Sequence, residues 1–194
     1  GIATSEPASM VDPFGRMSFG GGKMTVYSIT YLTESPSFSP TSTLRDHLAT
    51  LLRERHGAIL LPADAKPTKP AARTRKIAKA HPNGDYVFDV FNGMWWYSGY
   101  PGDHKHALNR VHFGVRLIDV RTGKPAVERG CQGSTENKFW RPTPNQLLGN
   151  DGKLARAYAM SIAWDCLAIV APDFRLPLDV LPVRPDEYKE PLAF

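Results

Sequence analysis

An alternating run from Leu108 to Val120 constrains the fold of this chain more than any other feature. The alternation predicts a strand whose apolar face carries Val111, Phe113, Val115 and Leu117. The opposite face carries a mixed set: His112, Gly114, Arg116 and Ile118. Arg121–Lys124 has the composition of a turn, because Gly123 readily takes a positive φ. Ala126–Arg129 returns as a partner strand, so we expect a long hairpin that leads to Cys131.

Further apolar segments predict the rest of the core. Strands are expected at Lys23–Leu32, Ala58–Leu61 and Tyr86–Phe91, the last continuing through Met94–Tyr97. Apolar spacings of three and four predict two main helices, one from Thr41 or Ser42 to Gly57 and one from Asn150 or Asp151 to Pro172. We therefore expect a single α+β domain, with a mixed or mainly antiparallel sheet of about five strands and both helices packed on one face.

The chain of 194 residues is long enough for one domain with a hydrophobic core. We expect that domain over residues 23–172. Residues 1–22 are rich in Gly, Ser and Pro and predict a flexible leader. Residues 173–194 form a Pro-rich tail that is either disordered or wrapped over the surface. No uninterrupted apolar run approaches the roughly 20 residues that a membrane span needs.

The two cysteines, Cys131 and Cys166, lie in elements that should meet. Cys166 shares a helix face with core residues, and Cys131 ends a strand expected beneath that face. A bond between them would close a loop of about 36 residues, which is worth about 4 kcal/mol on the chain-entropy model. It would also place the protein in an oxidising compartment. The alternative is two unrelated buried thiols in a cytosolic protein, but the shared helix face favours the disulfide.

The chain is moderately basic, with a formal net charge of +5 and a pI near 9.3. Part of this charge is concentrated in one stretch: Lys66, Lys69, Arg73, Arg75, Lys76 and Lys79. Such a run can bind nucleic acid, an anionic glycan or lipid headgroups, but it is more typical of a solvated loop and helix face. The run contains no aromatic residue that could stack on a base, which argues against single-strand binding.

A cluster of aromatic residues predicts either a contact surface or a covered edge. It consists of Trp95, Trp96, Tyr97 and Tyr100. Consecutive residues of a strand face both sides of a sheet, so at least one of these rings should point away from the main core. Exposed Trp and Tyr are favoured at protein interfaces, whereas loops or the tail could also cover them.

Two arrangements could carry chemistry, and neither is strong. His104, His106 and His112 lie near Asp103, a residue set suited to zinc or copper, but a further ligand is not evident. Cys131 with His112 as its base would suggest a thiol hydrolase, although no local signature surrounds that cysteine. We therefore expect no catalytic residues, no metal site and no cofactor.

The second half of the chain resembles small Gram-negative envelope lipoproteins. The resemblance covers roughly residues 85–170 and rests on Leu117-Ile118-Asp119 followed by Thr122-Gly123, on Gly130-Cys131, on Pro144–Asn150, and on the helical Asp165-Cys166. It implies a periplasm-facing protein tethered to the outer membrane by a lipidated cysteine upstream of Gly1. It also implies that Cys131 and Cys166 are bonded. The fold is distantly similar to lipoproteins that assist curli secretion, exopolysaccharide export or peptidoglycan synthases, an analogy from fold alone.

The sequence therefore predicts a non-enzymatic protein of the periplasm that binds another envelope component or assembles with itself. We expect an envelope protein or a second copy as its partner, no nucleic acid, and membrane contact only through a lipid anchor. One alternative is an envelope hydrolase or metal-binding protein that uses the His104–His112 region. A second is a nucleic-acid or polyanion binder acting through Lys66–Lys79.

Overall fold

Three long antiparallel strands and a two-residue strand form the sheet of this protein. A computed structural model describes residues 30–32, 34, 38–61, 72–100, 103–135 and 141–188. In chain order the elements are β1 (Thr30–Tyr31), α1 (Pro40–His56), α2 (Thr74–Ala80), β2 (Tyr86–Tyr100), β3 (Asp103–Asp119), β4 (Lys124–Ser134) and α3 (Pro144–Val170). Short 3₁₀ turns follow at Ala171–Phe174, Leu178–Val180 and Asp186–Tyr188.

The sheet has the order β1-β2-β3-β4, with every pair antiparallel. The predicted α+β class is confirmed, and so is the β3–β4 hairpin, in which Phe113 lies opposite Cys131. The described sheet has four strands where about five were expected. The strand predicted at Ala58–Leu61 is wrong, because this segment is irregular and exposed. Periodicity alone does not decide whether so short an apolar run forms a strand. The position beside β2 that a further strand could take is filled on both sides, by β1 and β3.

The main core lies between one face of the sheet and the helices α1 and α3. Leu44, Leu48 and Leu51 of α1 pack in the same cluster as Val115 of β3 and Leu167 of α3. The opposite, outer face of the sheet is covered at one end by α2, whose Ile77 and Ala78 pack on Ile118. We call these the inner and outer faces. The expected packing of two main helices on one face is therefore present, with a third, short helix on the other.

Helix α3 begins earlier than the sequence predicts. The side chain of Thr143 accepts a hydrogen bond from the backbone N–H of Gln146, whose own side chain bonds back to Thr143, so a capping box starts the helix. The helix is then interrupted at Gly149–Gly152, where Asn150 has a φ of 50° and Asp151 one of 59°. Asn and Asp tolerate this left-handed region, so the predicted start at these residues is an internal break.

The domain continues past the predicted boundary at residue 172. Phe174 and Leu176 are buried in the main core, and His56 Nε2 lies 3.0 Å from the carbonyl oxygen of Phe174. The tail is thus wrapped over the domain as far as Tyr188, which also packs against the core. The predicted leader, residues 1–22, lies outside the described residues, and so do residues 189–194 of the tail.

Among the described residues, one helical stretch, Pro144–Phe174, is long and apolar enough to cross a membrane, with a mean hydropathy of 1.4. In this fold, however, 72% of that window is buried inside the protein. A buried core helix passes the same test, so the stretch is weak support for a membrane span.

Candidate functional site

The two cysteines form a disulfide, as the sequence predicts. The bond joins β4 to α3, with 5.6 Å between the Cα atoms of Cys131 and Cys166. Both cysteines of the chain are therefore bonded, and Cys131 has no free thiol to act as a nucleophile. The disulfide fixes the last strand of the sheet to the helix that covers it.

The predicted aromatic contact surface is wrong for two of its four residues. Trp95 is 2% exposed and Tyr100 is 4% exposed. The register of β2 on β3 shifts between Asn92 and Met94, and the extra residue turns Trp95 to the inner face. Tyr100 instead donates a hydrogen bond from its hydroxyl to the carbonyl oxygen of Thr135, at 2.6 Å.

The other two aromatic residues are each half-buried. Trp96 lies on the outer face, where the guanidinium of Arg110 is 5.6 Å from its ring centroid. Tyr97 packs against the main core. The cluster is therefore divided between the two faces of the sheet and does not form one surface.

The structure separates the histidines that the sequence groups together. His106 Nδ1 lies 2.6 Å from Asp103 Oδ2, and this hydrogen bond is the main cause that lowers the pKa of Asp103. His112 lies six residues further along β3, or roughly 20 Å at the usual rise of a strand. Nothing is described of the His104 side chain. Among the described residues, no group of three or more His, Cys, Asp or Glu side chains could hold a metal ion.

The basic stretch is only partly within the described residues. Arg73, Arg75, Lys76 and Lys79 are exposed on or beside α2, whereas Lys66 and Lys69 lie outside the described ranges. The fold places the β3–β4 turn against α2, since Thr74 Oγ1 donates a hydrogen bond to the carbonyl oxygen of Gly123 at 2.9 Å. Arg121 and Lys124, which are distant in sequence, thereby come close to the basic residues of α2. The sequence alone did not indicate this proximity.

An open depression of about 520 Å³ lies at β4, the edge strand of the sheet. It is lined by His112, Arg129, Gly130, Cys131, Gln132 and Ile169. In the described part of the chain, β3 is the only strand that pairs with β4. The depression therefore lies where another extended segment could add to the sheet.

The two sides of this depression differ because alternate residues of a strand face opposite ways. Cys131 lies opposite Phe113 and faces α3, where Ile169 is an exposed apolar side chain. Gln132 lies opposite His112 and faces outward. The His112 ring lies over two glycines: a methyl group at Gly130 would come 3.0 Å from its Nε2, and one at Gly93 would clash with the ring.

The first half of the β4 edge is protected against pairing with other strands, and the second half carries no charge. Lys124, Pro125, Glu128 and Arg129 are features that natural edge strands use against unwanted pairing. The remaining residues, Gly130–Ser134, carry no charge. A methyl group at Gly133 would clash with Ile162 of α3, so the backbone of β4 runs very close to that helix.

Two residues that line the depression are already held by other contacts. Arg129 is held by an ion pair with Asp173, at 3.1 Å, and the cysteine of the depression is bonded. No sequence signal pointed to Gly130, Gln132 and Ile169 as one site, because the helix and the strand come together only in the fold.

The chain has no match among protein-family models, curated proteins or solved structures, so the resemblance to envelope lipoproteins stays a prediction.

Proposed function

We propose that this protein is a non-enzymatic component of the Gram-negative periplasm, associated with the outer membrane, that binds an envelope protein through the open edge of β4. The occupant would be an extended segment of that partner. The observation that carries the proposal is the disulfide between Cys131 and Cys166, which holds β4 against α3. Among the described residues, β3 is the one strand that pairs with β4.

The disulfide supports the compartment as well as the surface. Stable disulfides form and persist in the periplasm and other oxidising environments and are rare in the cytosol of most organisms. The resemblance over residues 85–170 points to the same compartment. Holding the edge strand in one geometry also favours binding, because less conformational freedom is lost when a partner associates.

The chemistry of the edge indicates the kind of segment it would take. Strand addition gains affinity from main-chain hydrogen bonds and specificity from alternate side chains. On one side the incoming side chains would meet Ile169, and on the other they would meet Gln132 and His112. Since Gly130–Ser134 is uncharged, we propose a segment with an apolar residue facing Ile169 and no strongly charged residue beside it.

A photo-crosslinking experiment tests this proposal. A photoreactive amino acid in place of Gln132, introduced into the protein in its native envelope, should crosslink to one short extended stretch of a partner. A synthetic peptide of that stretch should bind the purified, oxidised protein, and Ile169→Asp should weaken the binding about tenfold or more, the usual cost of losing one buried apolar contact.

Leu178 provides a matched control, because it is also an exposed apolar residue but does not line the depression. Leu178→Asp should leave peptide affinity unchanged. Equal weakening by both substitutions would overturn the proposal, as would the absence of a crosslinked partner. Crosslinks from Gln132 only to β4 of a second copy would replace the proposed partner by self-association.

A further inference from the structure

Exposed apolar residues gather at the end of the molecule where β2 begins. Ile59 is 90% exposed, Leu61 is 57% exposed and Tyr86 is 54% exposed. A methyl group at Gly84 would lie 3.8 Å from Leu61 Cδ1, so Leu61 reaches the turn just before Tyr86. We call Ile59, Leu60, Leu61 and Tyr86 the apolar tip. A cluster of large exposed apolar side chains on a soluble domain marks an interaction site.

Basic residues are present in three elements whose ends adjoin the apolar tip. α1 ends at His56, is capped by Gly57, and has two exposed arginines in its last turn. α2 is followed by a turn in which the N–H of Gly84 donates to the carbonyl oxygen of His81. The β3–β4 turn is joined to the same place, since the N–H of Val120 donates to the carbonyl oxygen of Asp85 at 3.0 Å. We call the following exposed residues the basic rim: Arg53, Arg55, Lys76, Lys79, Arg121 and Lys124.

Acidic residues in the same region are fewer. Glu54 and Asp85 are exposed, and Asp119 accepts a hydrogen bond from the backbone N–H of Thr122 at 2.8 Å. The region therefore remains basic. Its rim is complementary to a surface of negative charge, whereas its tip is complementary to hydrocarbon.

We propose that this end of the molecule docks on an anionic lipid bilayer. The aliphatic side chains of Ile59, Leu60 and Leu61 enter the boundary between headgroups and acyl chains, and Tyr86 lies at the headgroup level, where aromatic rings with a polar end are favoured. The basic rim contacts the phosphates. Buried apolar area and attraction to anionic headgroups add together in such peripheral binding.

An aliphatic tip favours a bilayer over the other polyanions. Nucleic acid without a sequence preference is bound by a basic groove with aromatic side chains for base stacking, and here the residues that project most are aliphatic. We propose peripheral docking, because in the described part of the chain the one helix long enough to span a membrane is mostly buried. Docking on lipid goes beyond the proposed function, and the residues that would contact lipid differ from those that line the depression at the β4 edge.

Vesicle flotation with the full, oxidised protein tests the inference. The protein should float with vesicles of phosphatidylglycerol mixed with phosphatidylcholine and stay behind with phosphatidylcholine alone. A tip variant, Leu60→Ser with Leu61→Ser, and a rim variant, Lys79→Glu with Lys124→Glu, should each weaken binding about tenfold or more. All four positions are exposed, so circular dichroism should show an unchanged fold.

Matched controls exist elsewhere on the surface. Val183→Ser removes an apolar side chain that is 85% exposed, and Lys105→Glu reverses an exposed charge outside the basic rim. Neither should change vesicle binding. Loss of binding in the rim variant but not in the tip variant, or binding to DNA oligonucleotides without binding to vesicles, would overturn the bilayer proposal. Peptide binding at the β4 edge is measured without lipid, so its failure is distinguishable from failure of docking.

Discussion

At the scale of single residues, the outer face of the sheet holds a buried ion pair. Arg116 Nε lies 2.8 Å from Asp89 Oδ2, and both side chains are almost fully buried. The guanidinium also lies 4.3 Å from the centroid of the Phe91 ring, which in turn covers Gly114. A side chain at Gly114 would collide with that ring, so the glycine permits the whole stack.

We expect Asp89→Ala to reduce the free energy of unfolding by about 3–5 kcal/mol, because it leaves a buried guanidinium without its carboxylate. The double variant Asp89→Leu with Arg116→Met should recover most of the loss, since it removes both charges. Urea unfolding measures these changes. Asp46→Ala breaks the exposed Arg45–Asp46 pair and should cost less than about 1 kcal/mol. Equal costs for Asp89→Ala and Asp46→Ala would contradict the expectation.

At the scale of elements, the disulfide between β4 and α3 should stabilise the fold substantially. It closes a loop with a sequence separation of 35, for which the chain-entropy model gives about 4 kcal/mol. We expect Cys131→Ala with Cys166→Ala to lower the melting temperature by about 10 °C. Thermal unfolding followed by circular dichroism measures the shift. A reducing agent should produce a similar shift in the natural protein and none in the variant, whereas an unchanged melting temperature on reduction would contradict this role.

The hairpin of β3 and β4 could be predicted from sequence because alternation, a glycine turn and a returning strand agree over residues 108–131. The sequence did not predict features for which neighbouring patterns of this kind are lacking. One extra residue at Gly93 reverses which side of the sheet Trp95 faces, and composition does not reveal a register shift. The run Ala58–Leu61 has strand composition, but it pairs with none of the described strands.

The candidate sites depend on contacts between distant parts of the chain. Four members of the basic stretch lie together on or beside one short helix, because they are neighbours in the sequence, and all four are exposed. Arg121 joins them because the β3–β4 turn packs on α2: Thr74 donates a hydrogen bond to Gly123, and a methyl group at Gly123 would lie 3.1 Å from Arg75 Cγ. Ile169 likewise reaches β4 only in the folded chain. Periodicity predicts faces of elements, and it does not predict which faces meet.

At the scale of the whole molecule, stability should depend on pH through His47. Its ring lies 4.6 Å from that of Trp164, and burial lowers the pKa of His47 below the ordinary value of 6.5, although Asp46 acts in the opposite direction. The unfolded chain therefore binds a proton more readily than the folded one. The contribution of neutral His47 to stability is fully present above about pH 6.5 and is lost as the pH falls from that value through the lower pKa of the folded state.

We expect His47→Gln to flatten this dependence, because glutamine does not titrate. Urea unfolding at a series of pH values between neutral and mildly acidic conditions measures the slope for both proteins. A slope in the variant as steep as in the natural protein would show that other groups cause it. Asp103 and Asp119 have pKa values lowered by hydrogen bonds, so they affect stability only in more acidic solution.

Strand β4 runs from Lys124, in the basic rim, to Ser134, beyond the depression. At about 3.3 Å per residue, Gln132 lies roughly 25 Å along the strand from Lys124. In the docking that we propose, this strand would set how far the depression stands from the bilayer, up to that length. A partner segment would then have to extend that far from the lipid, so its reach would add to side-chain chemistry in selecting it.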